Sequence, residues 1–320
     1  MTRLPFIAWE ASGMILIFGS INVDLVARVD QIARPGETVL SPGYEVFYGG
    51  KGANQAVAAA RSAPSGTSVS MCGAVGKDTF GDGCRANFAT EGVDASLLQV
   101  VDAPTGCAFI SVDARGENAI TVASGANYAL DAGKVDPKAL NDVRVAVLQM
   151  EVPLVENLRI ARRLRSTEAI VILNFAPARA DLPGDELGEL LGLIDYLVVN
   201  EHEASTLHDA LPRSHVDDST LAEHLRVSVI VTLGAKGVEL HAPEQEVWRC
   251  DAGSVEVIDT TGAGDTFVGI LASGLDADWP IRASIKRAAV GASLSCTKLG
   301  AQAAMPLLVD LNETSDVWAV

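Results

Sequence analysis

Short apolar runs recur along the second half of the chain, each ended by a polar residue and followed by helix-length sequence. VAVLQM runs into Glu151, AIVILNF carries Asn174, DYLVV stops at Asn200, and SVIVTLG carries Thr232 and Gly234. Runs of this kind suit strands buried on both faces. Their alternation with helices predicts an α/β fold: a mostly parallel sheet with helices on both sides. Ile15 to Phe18 and residues 69–76 are expected to be further buried strands, and Ala53 to Arg61 and Phe80 to Glu91 to be helices. In open sheets of this type ligands bind beyond the carboxyl ends of the strands. Glu151, Asn174, Asn200, Glu203 and Thr232 are therefore expected to share a cleft.

A second pattern interrupts the first. Thr38–Leu40, Tyr44–Tyr48, Cys107–Val112 and Asn118–Val122 are β-prone with no helix between the last two, which flank Asp113-Ala114-Arg115-Gly116-Glu117 as a hairpin would. A small sheet drawn from about residues 25–48 and 107–124 is expected to stand off the main body, as a lid or a dimer contact. No internal repeat divides the chain, so residues 1–320 are expected to form one domain. The segment 1–13 before Met14 is expected to be an extension, or an artefact of the assigned start, without function.

Residues 255–275, VEVIDTTGAGDTFVGILASGL, carry the sharpest candidate chemistry. Val255, Val257 and Ile258 are expected to end a strand, and Phe267 to Leu275 to form a buried helix. Gly262, Ala263 and Gly264 between them let successive N–H groups point one way, and the helix adds its free N-terminal donors. Such a cradle suits a phosphoryl group. Asp265 beside it is either a base acting on a hydroxyl or a helix cap, and spacing alone leaves both open. Asn22 and Asp24 lie two residues apart, so an extended chain points both to one face. That pair suits vicinal sugar hydroxyls, or is simply a polar turn. Gly49, Gly50 and Gly52 around Lys51, with Asn54 following, suit a close backbone approach to a small ligand.

Composition mostly excludes. Charged residues are 20% of the chain and apolar ones 48%, as in a folded protein, and no apolar run is long enough for a bilayer. The cytoplasm is the expected compartment, with neither membrane nor nucleic acid as partner. The net charge of −17 argues against nucleic-acid binding, and the arginines of Arg159–Arg165 read as a solvated helix face. Five cysteines without a C-x-x-C read as buried thiols. His202-Glu203 does not continue as a zinc motif because position 206 is Thr. Glu45 and Gly52 break a P-loop around Lys51. Ala86 and Phe267 occupy the last glycine positions of two would-be dinucleotide fingerprints, which disfavours hydride transfer.

GSINVDLV at 19–26, GGKGANQAVAAAR at 49–61, NEHE at 200–203, TLGAKG at 232–237 and DTTGAGDTF at 259–267 together resemble the ribokinase-like carbohydrate kinase family. The likeness runs from about Ile15 to Pro306. It implies a Rossmann-like α/β/α sandwich with a β-sheet lid that pairs subunits into a homodimer. The implied reaction moves the γ-phosphoryl of ATP to a sugar hydroxyl, with ribose ahead of deoxyribose, fructose or another pentose, and all of these ahead of a nucleoside. Matched by motif, Asn22, Asp24, Gly50, Lys51, Asn54 and Glu151 would hold the sugar. Asn200, Thr232, Gly234, Lys236 and Gly237, with Gly264, would line the nucleotide site. Gly262, Ala263 and Gly264 would form the anion hole and Asp265 the base. Glu203 would organise Mg²⁺ indirectly. Asp259 and Thr261, with carbonyls near Ser295, Lys298 and Gly300, would hold an activating K⁺. VASGAN at 122–127 would wall the sugar. The rival from another class is an inactive sugar or nucleotide sensor on the same fold, disfavoured because Lys51, the 262–264 turn and Asp265 are all intact.

Overall fold

A computed structural model describes residues 13–211 and 218–315. The expected extension therefore lies, apart from Gly13, outside the described residues. Apolar side chains on successive strand residues point to opposite faces, so a strand with no polar alternation needs cover on both. Ile15 and Ile17 enter one core with Val145, Val147, Ile172, Val198 and Ile230, whereas Leu16 and Phe18 enter the other with Leu148, Leu173, Val199 and Val231. The helices Lys51–Ser62, Thr79–Glu91, Ala263–Asp276 and Ile281–Ser295 cover the first face. Leu154–Leu164, Gly184–Leu191, Glu201–Ala210 and Asp218–Leu225 cover the second.

Between them lies an eight-stranded sheet. Its order is Trp248–Cys250, Val238–His241, Ser228–Thr232, Tyr196–Asn200, Ile170–Asn174, Val143–Gln149, Met14–Phe18, Ser68–Cys72. Pairing is parallel from Ser68–Cys72 through Ser228–Thr232 and antiparallel for the last two strands. The expected strand over 69–76 is split. Ser68–Cys72 stays in the sheet, and Ala74–Gly76 turns away to pair with Gln99–Val101.

The second sheet is Tyr44–Gly49, Asn22–Arg28, Gly106–Val112 and Asn118–Ala123 in that order, with the expected hairpin as its far edge. Thr38–Leu40 is not a strand, having no partner in a sheet whose edge is already Tyr44–Gly49. Register puts Asp24 beside Phe47 and Ala108, with Ala108 beside Val122 and Ile110 beside Ile120. Phe47, Ile120 and Val122 are exposed, so the face that bears Asp24 is an uncovered apolar surface.

Residues 255–258 correct the sequence expectation: they are not a strand. The main sheet ends at Trp248–Cys250, and the chain then runs irregularly back toward the Ile281–Ser295 helix. There the Ile258 N–H donates to the Cys296 carbonyl at 2.8 Å, and Val257 and Ile258 remain exposed. Their β-branched side chains fit an extended chain, which needs no ladder.

The arginine-bearing helix is a solvated face, as expected, with Arg162 paired to Glu189 and Arg165 to Asp195. The cysteines carry free thiols, Cys72, Cys84 and Cys107 buried and Cys250 and Cys296 half-buried. Among the described residues no helix is long and apolar enough to cross a membrane.

Two helices that carry site residues pack closely. A Cβ at Gly269 would lie 2.6 Å from both the Ala58 Cβ and the Gln55 carbonyl oxygen, so Lys51–Ser62 and Ala263–Asp276 touch through small residues. Overpacking costs typically about 1–3 kcal/mol. Gly269→Val should lose about that much in denaturant unfolding. Gly188→Ala, at a helical position with nothing within 4 Å of the added carbon, should gain up to about 1 kcal/mol.

Candidate active site

The Lys51–Ser62 helix begins at Gly50, whose φ of +88° and 2.7 Å approach of an added Cβ to the Asn22 nitrogen leave room for no side chain. No side chain of its own caps it. Glu151, just beyond the strand Val143–Gln149, does so from across the sheet. Its Oε2 accepts from the Lys51 N–H at 3.1 Å and the Ser20 hydroxyl at 2.5 Å, and Ser20 Oγ in turn accepts from the Gly52 N–H. A carboxylate there also complements the positive helix end.

Asp265 lies on the first turn of Ala263–Asp276 and is only 7% exposed. Asn54 Nδ2 donates to its Oδ2 and Gln55 Nε2 to its Oδ1, each at 3.0 Å. Gly262 has a φ of +75°, which turns the chain into the helix. The N–H groups of Gly264 and Asp265 have no partner among the described residues, and Gly264 is exposed. Asp265 does not cap the helix: no side chain hydrogen-bonds the Gly262 cap. Of the two roles left open by spacing, the cap is overturned.

Asn22 and Asp24 do lie on one face of an extended strand. Asn127 holds the first: its Nδ2 donates to Asn22 Oδ1 at 2.8 Å and to the Ile21 carbonyl, and its Oδ1 accepts from the Ile21 N–H. Burial, then the charges of Glu151 and Asp265, push the Asp24 carboxyl up to about 6. Burial would pull the Lys51 ammonium down, but Asp265, Glu151 and Glu203 together outweigh it and raise it. Asp24, Lys51, Glu151 and Asp265 therefore form one electrostatic cluster, with Asn54 bonded to Asp265 and Gly50 and Asn22 adjoining it.

A cavity of about 420 Å³ opens on the other side of the cradle, within the range of small-molecule sites. Thr232, Gly234, Gly237 and Val238 line one side, Ala263, Gly264 and Phe267 another, and the 252–257 segment and the Ile281–Ser295 helix the rest. Lys236 is not part of it: its Nζ reaches Glu201 at 3.4 Å across a neighbouring depression. Nor is Asn200, whose side chain accepts from the Glu203 N–H while Glu203 Oε2 accepts from the Asn200 N–H, a reciprocal cap on Glu201–Ala210. Burial raises the Glu203 carboxyl against that bond and the Lys51 charge.

Asp259 accepts from the Thr261 N–H and hydroxyl on Oδ1 and from the Gly300 N–H on Oδ2. Burial alone would raise its carboxyl, but these donors hold it below the usual range. Ser295 is buried with its hydroxyl on the Ala292 carbonyl, and Lys298 is exposed.

Sequence reading missed Gln55, Gln302 and the part played by Asn127. Gln302 Nε2 donates to Asn54 Oδ1 at 3.1 Å and accepts from Asn87 on Oε1. Asn174, as little exposed as Asp265, joins the cluster by accepting from Gln55 at 3.1 Å.

The pattern of pfkB family carbohydrate kinases matches residues 12–308. The chain belongs to that family. The ribokinase of Lactococcus lactis is 38% identical over 304 residues, covering 92% of this chain and 95% of that one. Among solved pfkB relatives, the ribokinase of Thermotoga maritima superposes with a TM-score of 0.86 at 33% identity, covering 95% of this chain and 99% of that one. The ribokinase of Arabidopsis thaliana, solved with ribose and ATP, gives 0.83 at 27% identity over 94% and 98%. The sandwich and smaller sheet described above are thus the fold of known carbohydrate kinases.

A raised carboxylic acid resists ionisation in the folded chain, so ionised Asp24 costs stability above pH 6 and the cost fades as pH falls toward 4. Asp24→Asn should raise Tm relative to the parent at pH 8. The gain should shrink through that window, as a series of melting curves would read.

Proposed function

We propose that this protein is an ATP-dependent kinase that phosphorylates D-ribose on its 5-hydroxyl. One observation carries the reading. A buried carboxylate, Asp265, stands between the polar cluster of Asn22, Asp24, Lys51 and Glu151 and a set of unpartnered N–H groups beside a cavity of about 420 Å³. The ribose carried by the Arabidopsis relative and the names of the other relatives support the choice of sugar.

Asn22, Asp24 and Lys51 would grip the ring hydroxyls and the Gly50 and Glu151 region would close its base. Asn127, inside the VASGAN segment, fixes the amide of Asn22 that faces the sugar. Asp265 takes the proton of the attacking hydroxyl as the bond to phosphorus forms. The Gly264 and Asp265 N–H groups meet the charge on the transferred group, fixed in place before it develops. Thr232, Gly234 and Gly237 would hold the nucleoside. The lid would exclude water, the competing acceptor.

Mg²⁺ and K⁺ would join this site. Among the described residues no three acidic, histidine or cysteine side chains gather around a metal position. Mg²⁺ would be carried by phosphates and waters, with Glu203 steering from outside. Mg²⁺ when bound neutralises phosphate charge. Asp259, bonded to Thr261 and Gly300 and with its own N–H on the Cys296 carbonyl, offers the hard oxygen donors an alkali cation takes, and carbonyls near Ser295, Lys298 and Gly300 would complete the set. Two copies would join through the apolar lid face, and the cytoplasm would supply the ATP.

ADP release over a panel of ribose, deoxyribose, fructose and nucleosides, in potassium and then sodium, tests the reading. Ribose should be preferred and potassium should raise the rate. Proton abstraction contributes roughly 10²–10⁴-fold, so Asp265→Asn should lose about that in turnover while still binding ribose by calorimetry. A silent panel would leave the sensor. The dimer is checked by sedimentation: Ile120→Glu, in the middle of the apolar lid face, should yield monomers.

A further inference from the structure

A carboxylate that must receive a proton from one direction has to be prevented from rotating. We infer that Gln55 is a positioning residue for Asp265, backed on the other carboxylate oxygen by Asn54 and Gln302; this rests on Asp265 being the base. Gln55 is fully buried and touches no cleft, so it cannot be a substrate ligand. Its amide nitrogen uses one hydrogen on Asp265 Oδ1 at 3.0 Å and the other on Asn174 Oδ1 at 3.1 Å. Turning the amide over would set its oxygen against a carboxylate and a carbonyl oxygen. The orientation is therefore dictated by the two acceptors, even though Oε1 is left without a partner among the described residues. Asn174 is in turn held by its own donation to the Val198 carbonyl at 3.3 Å.

The second oxygen is held by a longer series. Asn87 donates to Gln302 Oε1 at 2.9 Å, Gln302 Nε2 to Asn54 Oδ1 at 3.1 Å, and Asn54 Nδ2 to Asp265 Oδ2 at 3.0 Å. Arg61, paired with Glu91, pins the Gln302 backbone by donating to its carbonyl at 2.6 Å. With a donor on each oxygen the carboxylate cannot turn about its last bond. Each oxygen keeps a second lone pair, so one stays free for the hydroxyl proton. Every donor is a neutral amide, so none brings a proton that could pass to Asp265.

The test compares parent, Gln55→Met, Gln302→Met and Asp265→Asn in steady-state kinetics across pH, with circular dichroism and Tm as controls on folding. Misplacement of a reacting group can cost up to about 100-fold, so Gln55→Met should lose about 10- to 100-fold in kcat. The KM values for ribose and ATP should stay within about threefold, since ground-state contacts are untouched. Lys51, Asp24, Glu151 and Glu203, the charged groups whose fields meet around Asp265, remain in all these variants. Gln302→Met should show the same signature more weakly, and it carries the test if Gln55→Met does not fold. Parental kcat in both Gln variants, beside an inactive Asp265→Asn, would overturn the positioning role and leave the base standing. A fall in kcat accompanied by a comparable rise in the KM for ribose or ATP would reduce Gln55 to packing and equally overturn it. An active Asp265→Asn would instead sink the base, and the inference with it.

Discussion

A negative charge held inside the protein, at the start of its most buried helix, is the constraint on which the rest depends. An unpaired carboxylate away from water is expensive, and folded chains usually answer with an arginine or lysine in direct contact. Here the direct hydrogen bonds come from Asn54 and Gln55, and the first turn of Ala263–Asp276 adds its dipole. A guanidinium would stabilise the charge more but would occupy the lone pairs that a reacting hydroxyl needs. Neutral amides offset enough of the burial and leave an acceptor free.

Holding those amides in place explains much of the architecture. Asn54 and Gln55 ride on one helix and Asp265 on another, so the distance between the helices sets the hydrogen bonds. Gly269 against Ala58 brings the helices together, and Glu151 caps the first of them from the strand end. The same Glu151 joins Asp265 in raising Asp24, so the cap, the proposed base and the proposed sugar ligand share one electrostatic neighbourhood. On that reading stability and function would pull apart at Asp24, whose charge suits a polyol and opposes the fold.

The sandwich was legible because buried strands have to be apolar on both faces, and Leu16 beside Ile17 or Leu173 beside Ile172 record that directly. The hairpin at 107–123 and the pairing of Asn22 with Asp24 followed from the period of two. Val257 and Ile258 misled, because β-branched residues suit any extended chain and only a neighbouring strand makes a ladder. Gly73 divided a continuous apolar run without changing its hydropathy. Gln55, Gln302 and Asn127 were hidden for a different reason. An amide inside a helix or turn has no periodic signature, and its partners lie more than 100 residues away. Lys236 matched a motif by spacing, yet a long flexible stem takes its charge wherever a carboxylate is nearest, which was Glu201.

The charge balance of the inner pocket bears on what it accepts. Lys51 is surrounded by the fields of Asp265, Glu151 and Glu203, and Asp24 adds a further carboxyl beside them. The pocket is therefore net negative, like the chain as a whole with its −17. A neutral polyol meets only hydrogen-bond partners there, whereas a sugar already carrying phosphate would meet repulsion. On the proposed reading nucleotide phosphates would be spared because the Gly264 and Asp265 N–H groups would act at contact range, where local dipoles outweigh a distant and screened net charge. The same field would favour departure of a phosphorylated product, since the charge gained in the proposed reaction would be borne next to the carboxylates proposed to hold the sugar.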